Sequence, residues 1–389
     1  MSKNQKIITI LGSTGSIGIQ ALQVLDSIPQ HFRIGYLTTN TNIELLAKQI
    51  KKFKPIGVVI KDKHAYEKFI SQVDFNGKIL HGKKGLIEAA GDTINDLVLS
   101  ALVGFSGVEP TMEAIKSGTT IALANKESLV SAGSVITKSA RKHNVEIIAV
   151  DSEHSAILQC LVGESIKEVE KIILTASGGP FLNTPLDELE KITAKDALKH
   201  PNWTMGNKIT IDSATMMNKG FEVIEAFWLF NIPKEKIDVL IHPQSIVHSM
   251  VQFVDGSVKA QMGLPDMRIP ISYALSYPKR LKYDFPRLDL ASLNELTFFK
   301  PDYEKFTCLK YAFDALETGG TAPTIINAAN EIAVFAFLEN KIKFTDIPRC
   351  IEAALTEIKI QKKPDLTDII DTDNDVRHFV HQFINNLNK

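Results

Sequence analysis

Cysteine is scarce in this chain, and its scarcity excludes one class of protein. The 389 residues include only three cysteines, Cys160, Cys308 and Cys350. They are odd in number and too far apart for a CxxC metal motif, which argues against a disulfide framework. We therefore expect a reducing, cytoplasmic environment.

Charge imbalance and long apolar runs are missing as well. Lysine and arginine number 44 against 45 aspartate and glutamate, a net charge of -1 that gives no overall field to attract nucleic acid or an acidic membrane surface. No apolar run approaches the ~20 residues of a membrane-spanning helix, and Met1–Lys6 are polar, unlike a secretion signal. We expect neither a nucleic-acid partner nor membrane insertion.

The first 150 residues alternate short β-branched runs with longer helical periods, the pattern of βαβ units around a parallel sheet. Predicted strands cover Ile7–Leu11, Arg33–Thr38, Gly57–Ile60, Leu97–Val103, Thr120–Ala124 and Val145–Val150. Predicted helices cover Ile17–Ser27, Ile43–Phe53, Glu109–Ser117 and Leu129–Lys142. Because such helices can cover both faces of a buried parallel sheet, the pattern predicts an α/β fold with a doubly wound, Rossmann-like dinucleotide-binding domain over residues 1–150.

The alternation stops after Asp151. Asp255-Gly256 separates two strand-like runs within Ile246–Met262, which predicts a hairpin in a central α+β domain over residues 151–276. The proline-interrupted segment 277–301 is typical of a linker. Helical periodicity in the segments Pro323–Leu338, Asp346–Ile358 and Val376–Leu387 predicts a C-terminal helical domain over residues 302–389.

The first predicted strand runs directly into a glycine-rich turn. Gly12, Gly15 and Gly18 have GxxGxxG spacing, and a helix follows. Glycines in this context let the backbone approach a pyrophosphate at a helix N-terminus. A plain tight turn is the alternative, and the position after the first strand of alternating units favours the dinucleotide.

The residues at the end of the second predicted strand indicate which dinucleotide the domain binds. An NAD-specific fold usually has an acidic residue there for the ribose 2′-hydroxyl, whereas this chain has uncharged residues from Thr38 to Asn42. The segment also lacks an Arg or Lys that would bind a 2′-phosphate. The sequence favours NADP over NAD moderately.

Two pairs of carboxylates are candidates for metal binding or catalysis. Asp151 and Glu153 follow the last strand of the parallel sheet, at the edge where open α/β folds bind ligands. Glu222 and Glu225 lie one turn apart on a predicted helix. Without a cysteine pair nearby, such oxygens suit Mg²⁺ or Mn²⁺ better than a structural zinc ion. Spacing alone favours an alternative, that the first pair caps a helix and the second forms a solvated face.

Six motifs follow one another along nearly the whole chain. They are Gly12-Ser13-Thr14-Gly15-Ser16-Ile17-Gly18, Leu123-Ala124-Asn125-Lys126-Glu127-Ser128-Leu129-Val130, Asp151-Ser152-Glu153-His154, Ser177-Gly178-Gly179-Pro180-Phe181, His200-Pro201-Asn202-Trp203-Thr204-Met205-Gly206 and Met217-Asn218-Lys219-Gly220-Phe221-Glu222. In this order the chain resembles the 1-deoxy-D-xylulose 5-phosphate reductoisomerase family. The resemblance implies conversion of 1-deoxy-D-xylulose 5-phosphate into 2-C-methyl-D-erythritol 4-phosphate in non-mevalonate isoprenoid biosynthesis. It also implies NADPH, Mg²⁺ or Mn²⁺ with Co²⁺ as a further candidate, and a homodimer.

The resemblance assigns roles residue by residue, and it overturns the helix-cap alternative for the carboxylates. Metal ligands would be Asp151, Glu153 and Glu222, with Glu225 as a nearby acidic support. NADPH contacts would come from Thr14, Gly15, Ser16, Ile17, Asn40, Thr41, Asn42, Asn125, Glu127 and Gly206. Catalytic or substrate contacts would come from Lys126, Ser152, Glu153, Ser177, His200, Ser213, Asn218, Lys219 and Glu222. Asn40–Asn42 departs from the family, in which many members have a small residue and then a basic or polar one before the asparagine.

The segment from His200 to Gly206 has the composition of a loop with an apolar tip. A loop of this kind can close over a site as a lid, and we expect Trp203 and Met205 to cover the reacting end of the substrate. An exposed aromatic loop could equally be a packing or oligomer contact.

Two other functions fit parts of the sequence. An ordinary NADP-dependent dehydrogenase would share the glycine-rich turn but would not need three converging carboxylates. A non-enzymatic NADPH sensor would have little use for a metal-chelating site. Metal dependence of turnover separates these possibilities from the reductoisomerase.

Overall fold

The computed structural model describes residues 5–199, 202–203 and 205–387. The chain divides into two compact units, each of which is built from more than one segment. The first unit comprises Met1–Ser128, Ile136–Ser155 and Asp266–Phe285, and the second comprises Leu129–Val135, Ala156–Pro265 and Pro286–Lys389. The three domains and the linker expected from the sequence, with their boundaries, stay predictions.

The first unit contains a seven-stranded parallel sheet in the order β4-β3-β2-β1-β5-β6-β7. Its strands are β1 (Lys6–Leu11), β2 (Phe32–Thr39), β3 (Gly57–Ile60), β4 (Lys78–His81), β5 (Leu97–Ser100), β6 (Thr120–Leu123) and β7 (Ile147–Ala149). Every residue of β3 and β5 is buried, as apolar strands covered on both faces should be. This sheet confirms the predicted doubly wound α/β fold.

Helices connect these strands. They are α1 (Ser16–Asp26), α2 (Ile43–Phe53), α3 (Lys63–Gln72), α4 (Gly82–Gly91), α5 (Val108–Lys116), α6 (Lys126–His143) and α7 (Ser152–Leu161). The sequence analysis did not predict β4, α3 or α4. No residue of β4 is buried and only Ala65 and Phe69 are buried in α3, so the hydrophobic pattern of this sheet edge is weak.

The strand order reverses beside β1. The chain moves outward from β1 through β2 to β4, then returns to the other side of β1 with β5 and moves outward again to β7. Ligands of open α/β sheets bind at the carboxyl ends of the strands beside such a reversal. The turn after β1 therefore lies at the expected binding position.

The second unit contains a four-stranded sheet in the order β11-β10-β8-β9. Its strands are β8 (Val169–Ala176), β9 (Ile237–Ile241), β10 (Val247–Phe253) and β11 (Val258–Met262). β8 pairs with β9 in parallel, whereas β10 is antiparallel to both β8 and β11. The pairing of β10 with β11 confirms the predicted hairpin.

The remaining helices are α8 (Ala194–Ala197), α9 (Asn207–Ala214), α10 (Met217–Phe230), α11 (Arg268–Ser276), α12 (Thr307–Thr318), α13 (Ala322–Leu338), α14 (Asp346–Glu357) and α15 (Leu366–Leu387). All except α11 belong to the second unit, whose core joins the sheet with α10 and α12 to α15. The predicted C-terminal helices are present, and α15 begins ten residues before the predicted Val376. Within the part of the chain that the structure describes, no helix is both long and apolar enough to cross a membrane.

Candidate functional site

The turn after β1 is shaped by glycine. Gly12 has a φ of +88°, and a Cβ on it would lie 2.6 Å from the Ala101 carbonyl oxygen, so a side chain would meet both strain and a clash. A Cβ on Gly18 would lie 2.3 Å from the Gly12 carbonyl oxygen. The turn therefore packs closely against the chain that follows β5 and against the first turn of α1.

Side chains of neighbouring elements fix this turn. The Gly12 backbone N–H donates to Thr38 Oγ1 at 2.7 Å. Ser13 Oγ contacts Gln49 Oε1 at 2.8 Å, and Gln49 Nε2 donates to the Ser13 carbonyl oxygen at 2.8 Å. The turn is thus tied to β2 and α2 before any ligand is considered.

The N-terminus of α1 remains available to an anion. Gly15 is its N-cap and makes no side-chain cap hydrogen bond, and Gly15 and Ser16 are both exposed. The first backbone N–H groups of a helix have no partner within the helix and carry a partial positive charge. The predicted contacts Thr14, Gly15, Ser16 and Ile17 surround this end of α1.

The end of β2 is uncharged, as the sequence indicated. Thr38 and Thr39 are buried, whereas Asn40, Thr41 and Asn42 are exposed. Asn42 is the N-cap of α2, and its Oδ1 accepts a hydrogen bond from the Leu45 N–H at 3.1 Å. The segment therefore offers polar groups but no cation to a ligand.

Two neighbouring parallel strands bring Lys126 and Asp151 together. β6 and β7 pair with Leu123 opposite Ala149, so the residues after both strands emerge at one edge of the sheet. Lys126 Nζ donates to Asp151 Oδ2 at 2.9 Å, and the two side chains are 7% and 17% exposed. Little solvent screens this ion pair, so each charge strongly affects its neighbour.

Asn125 holds the backbone around Lys126. It is the N-cap of α6, and its Oδ1 accepts from the Ser128 N–H at 3.1 Å. Its Nδ2 donates to the Leu102 carbonyl oxygen at 2.8 Å and to Glu127 Oε2 at 3.0 Å. Asn125 and Glu127, both predicted to contact NADPH, are buried here and connect the ends of β5 and β6.

The predicted motif after β7 forms a local network. The Ser152 N–H donates to Asp151 Oδ1 at 3.2 Å, and Ser152 Oγ donates to Glu153 Oε2 at 2.6 Å. His154 is fully buried, with its Nδ1 4.0 Å from Asp151 Oδ2. The carboxylates at the start of α7 are thus oriented by their own neighbours.

In the second unit, β8 ends in a turn with two glycines. Gly178 and Gly179 have φ values of +84° and +68°, and a Cβ on Gly179 would lie 2.7 Å from the Ser213 carbonyl oxygen. Ser177 Oγ accepts from the Gly179 N–H at 3.2 Å. This geometry brings two predicted substrate contacts, Ser177 and Ser213, to adjacent segments.

Lys305 anchors the rest of that turn. Its Nζ donates to the Leu182 and Thr184 carbonyl oxygens at 2.9 and 2.5 Å. Burial lowers the pKa of Lys305 below its ordinary value. The sequence analysis missed this residue because it lies more than a hundred positions from the turn.

Three predicted site residues, Asn218, Lys219 and Glu222, lie in the first turns of α10. Asn218 Nδ2 donates to Glu222 Oε1, and Lys219 Nζ pairs with Glu222 Oε2. Glu222 and Glu225 are 1% and 3% exposed, and Lys219 is 3% exposed. A solvated helix face is therefore the wrong interpretation of these glutamates, because they are buried and Glu222 is paired.

The predicted lid is described in part. His200, the predicted substrate contact, lies outside the described residues, as do Pro201 and Thr204. Asn202 Nδ2 donates to the Pro243 carbonyl oxygen at 2.6 Å, and the Trp203 ring lies 6.1 Å from that of His248. Gly206 is the N-cap of α9. Whether Trp203 and Met205 close over a substrate stays a prediction.

The predicted site residues are distributed over both units. The NADPH contacts other than Gly206 lie in the first unit, together with Lys126, Asp151, Ser152 and Glu153. The predicted phosphate contacts and Glu222 lie in the second unit.

Comparison with known proteins gives one family for the whole chain. A sequence model of 1-deoxy-D-xylulose 5-phosphate reductoisomerase matches residues 8–133, and one of its C-terminal domain matches residues 147–230. A third, described as the DXP reductoisomerase C-terminal domain, matches residues 262–379. The chain belongs to the 1-deoxy-D-xylulose 5-phosphate reductoisomerase family. The resemblance drawn from the six motifs is confirmed.

Individual members of the family are similar in sequence to this chain over nearly its full length. The chain is 52% identical over 379 residues to 1-deoxy-D-xylulose 5-phosphate reductoisomerase 1 of Bacillus cereus, covering 97% of this chain and 98% of that one. It is 51% identical over 382 residues to the Bacillus subtilis reductoisomerase, covering 97% and 100%.

Solved structures of the family have the same fold. The Zymomonas mobilis reductoisomerase in complex with NADPH superimposes with a TM-score of 0.91 at 42% identity, over 98% of this chain and 99% of that one. A DOX-P reductoisomerase in complex with NADPH, fosmidomycin and magnesium gives a TM-score of 0.94 at 41% identity, over 99% of both chains.

Proposed function

We propose that this chain rearranges and reduces 1-deoxy-D-xylulose 5-phosphate to 2-C-methyl-D-erythritol 4-phosphate, with NADPH as the reductant and a divalent cation as a cofactor. Membership of the reductoisomerase family over nearly the full length carries the proposal. The reductoisomerase structures with NADPH, fosmidomycin and magnesium support both cofactors.

The turn after β1 fits NADPH. Its backbone leaves no room for Cβ atoms at Gly12 or Gly18, and the N-terminus of α1 is uncapped. A pyrophosphate needs such close backbone approach and unpaired N–H donors. We assign Thr14, Gly15, Ser16 and Ile17 to the pyrophosphate, with Asn125, Glu127 and Gly206 toward the nicotinamide and Asn40, Thr41 and Asn42 toward the adenosine.

The donor chemistry of Asp151, Glu153 and Glu222 fits a hard cation. All three offer carboxylate oxygens, which Mg²⁺ and Mn²⁺ prefer, and none of the three buried cysteines belongs to the set. We propose these three residues as the ligands of the cation. Glu225, one turn along α10, would support the negative field at the site.

The second unit fits a phosphorylated substrate. Lys219 supplies a buried cation, and Ser177, Ser213 and Asn218 supply neutral donors. Charge-assisted bonds from such groups fix a phosphate strongly. Since the phosphate does not react, these contacts orient the reacting end, where Ser152 and His200 are assigned to the sugar oxygens.

A bound divalent cation would polarise the substrate carbonyl during carbon–carbon cleavage and re-formation, and NADPH would supply the hydride. Lys126 contributes a positive charge at Nζ, held in place by Asp151 Oδ2 and by the Asn125 cap of α6. A fixed cation of this kind stabilises negative charge that develops on a substrate oxygen. Closure of Trp203 and Met205 over the substrate would exclude water.

We also propose a homodimer located in the cytoplasm. The family resemblance supports the homodimer, and the three free, buried cysteines are compatible with a reducing compartment such as the cytoplasm.

Oxidation of NADPH, followed at 340 nm, tests the proposed function. The purified chain should consume NADPH with 1-deoxy-D-xylulose 5-phosphate and Mg²⁺ or Mn²⁺, and a chelator should stop it. Metal-independent consumption would favour an ordinary dehydrogenase. NADPH binding without turnover under all conditions would favour a sensor.

A further inference from the structure

We propose that Asn330 is a positioning residue: through Asp212 and Lys208 it fixes the orientation of α9, and thereby the placement of Ser213 at the substrate phosphate. The inference rests on the proposed function, because it concerns how the same phosphate is held. None of these three residues was predicted from the sequence.

A buried ion pair lies along α9. Lys208 Nζ is 2.8 Å from Asp212 Oδ2, one helical turn away, and the two side chains are 7% and 1% exposed. The Lys208 ammonium also lies 5.0 Å from the centre of the Phe221 ring on α10. Lys208 therefore links α9 to the helix that carries Asn218, Lys219 and Glu222.

Asn330 connects the pair to a third helix. Its Nδ2 donates to Asp212 Oδ1 at 2.7 Å, and Asn330 on α13 is fully buried. The two Asp212 carboxylate oxygens thus have different partners, Lys208 for one and Asn330 for the other. Lys208 and Asp212 both lie on α9, so rotation of α9 about its axis would leave their ion pair intact but would break the contact with Asn330.

A gain in folding stability does not by itself explain why Lys208, Asp212 and Asn330 are buried together. Removing two charges from water costs several kcal/mol per ion, and an apolar core of equal volume is often as stable. A buried, fully paired carboxylate does, however, specify one geometry. The residue that follows Asp212 is Ser213, whose carbonyl oxygen packs against Gly179 of the Ser177 turn. A small rotation of α9 would therefore displace both serines assigned to the phosphate.

Asn327 provides a matched control. It lies on α13 one turn before Asn330 and is equally buried. Among the described residues, neither amide atom of Asn327 has a hydrogen-bond partner. Asn327→Ala and Asn330→Ala remove the same atoms from the same helix, but only Asn330→Ala removes a hydrogen bond to Asp212.

The experiment measures KM and kcat for 1-deoxy-D-xylulose 5-phosphate, NADPH affinity, and affinity for inorganic phosphate by ³¹P NMR titration. Asn330→Ala should raise KM and weaken phosphate binding about tenfold, with a smaller change in kcat, because a hydrogen bond to a charged group is lost and the phosphate does not react. NADPH affinity should stay unchanged. Asn327→Ala should leave all four quantities within about twofold of wild type.

Asn330→Ser keeps a hydrogen-bond donor, so its phosphate affinity should lie between those of the wild type and Asn330→Ala. It replaces Asn330→Ala in the experiment if that variant does not fold. Equal phosphate affinities in the Asn330 and Asn327 variants would overturn the inference, as would a loss confined to kcat. If the wild-type chain does not turn over the sugar phosphate, the proposed function fails, while the phosphate titration still decides the role of Asn330.

Discussion

The turn after β1 and the segment from α9 to α10 are both assigned to phosphate groups, but they are built in opposite ways. The first uses backbone N–H groups, and its close backbone packing depends on glycines without Cβ atoms. The second uses side chains whose charges are buried in pairs, Lys208 with Asp212 and Lys219 with Glu222. A backbone site needs no neutralising partner, whereas each buried charge needs one.

The difference determines how each site should respond to substitution. In the first unit, adding atoms to a glycine should matter more than changing nearby charges. In the second unit and at Asp151, changing one charge should disturb several partners, because the carboxylates are shared. Glu222 contacts both Asn218 and Lys219, so its proposed metal role and their proposed phosphate role are coupled.

The largest expected effect comes from removing one proposed metal ligand. Asp151→Asn and Glu222→Gln keep the shape of the side chain but remove its charge. Each should lower turnover by at least about a hundredfold and weaken Mn²⁺ binding, because fixed charge at the reacting oxygens is lost. NADPH affinity should change little, since the turn after β1 is a separate structure. Turnover, Mn²⁺ binding and NADPH binding are measured on the same samples.

Glu188→Gln is the control for that experiment, because Glu188 is an exposed carboxylate outside the predicted site. Its kinetics should match wild type. Normal turnover of Asp151→Asn or Glu222→Gln at low metal would remove that residue from the ligand set. If both turned over normally, an ordinary dehydrogenase would become the better proposal.

The same contrast explains what could be predicted from the sequence. The β1 turn and the sheet around it were recognisable because glycine spacing and buried apolar strands are local patterns. The contact of Asn330 with Asp212 joins residues 118 positions apart, and no local pattern records it. The burial of Glu222 and Glu225 was missed for a related reason, because spacing within one helix does not show what packs against it.

The second prediction adds a side chain to the backbone-built turn. Gly12→Ala should weaken NADPH binding about tenfold, since the left-handed φ costs roughly 1–2 kcal/mol and the new Cβ would meet the Ala101 carbonyl oxygen at 2.6 Å. Quenching of protein fluorescence by NADPH measures the affinity. Gly118→Ala is matched for backbone conformation, with a φ of +79°, but its Cβ would meet nothing within 4 Å. Equal NADPH affinity in both variants would show that the close approach at Gly12 is unimportant.

The third prediction concerns the adenosine end of the same unit. NADPH should be preferred to NADH by about fivefold in kcat/KM, because no carboxylate at the end of β2 repels a 2′-phosphate, while no cation in Asn40–Asn42 attracts it strongly. Steady-state kinetics with both cofactors decides the matter. Equal or better kcat/KM with NADH would contradict the assignment.

The smallest expected effect is spectroscopic and concerns the lid. Trp203 and Trp228 are the only tryptophans of the chain. Trp228 is packed against Gly133 and Phe227, so Trp228→Phe should leave Trp203 as a single reporter at a modest cost in stability. If the segment closes over substrate, fosmidomycin with Mg²⁺ should change the Trp203 emission maximum by several nanometres, because the indole would move to a drier environment. Mg²⁺ alone is the control and should leave the spectrum unchanged. An unaltered spectrum at saturating fosmidomycin would instead favour a static packing role for Trp203, in keeping with its contact to His248.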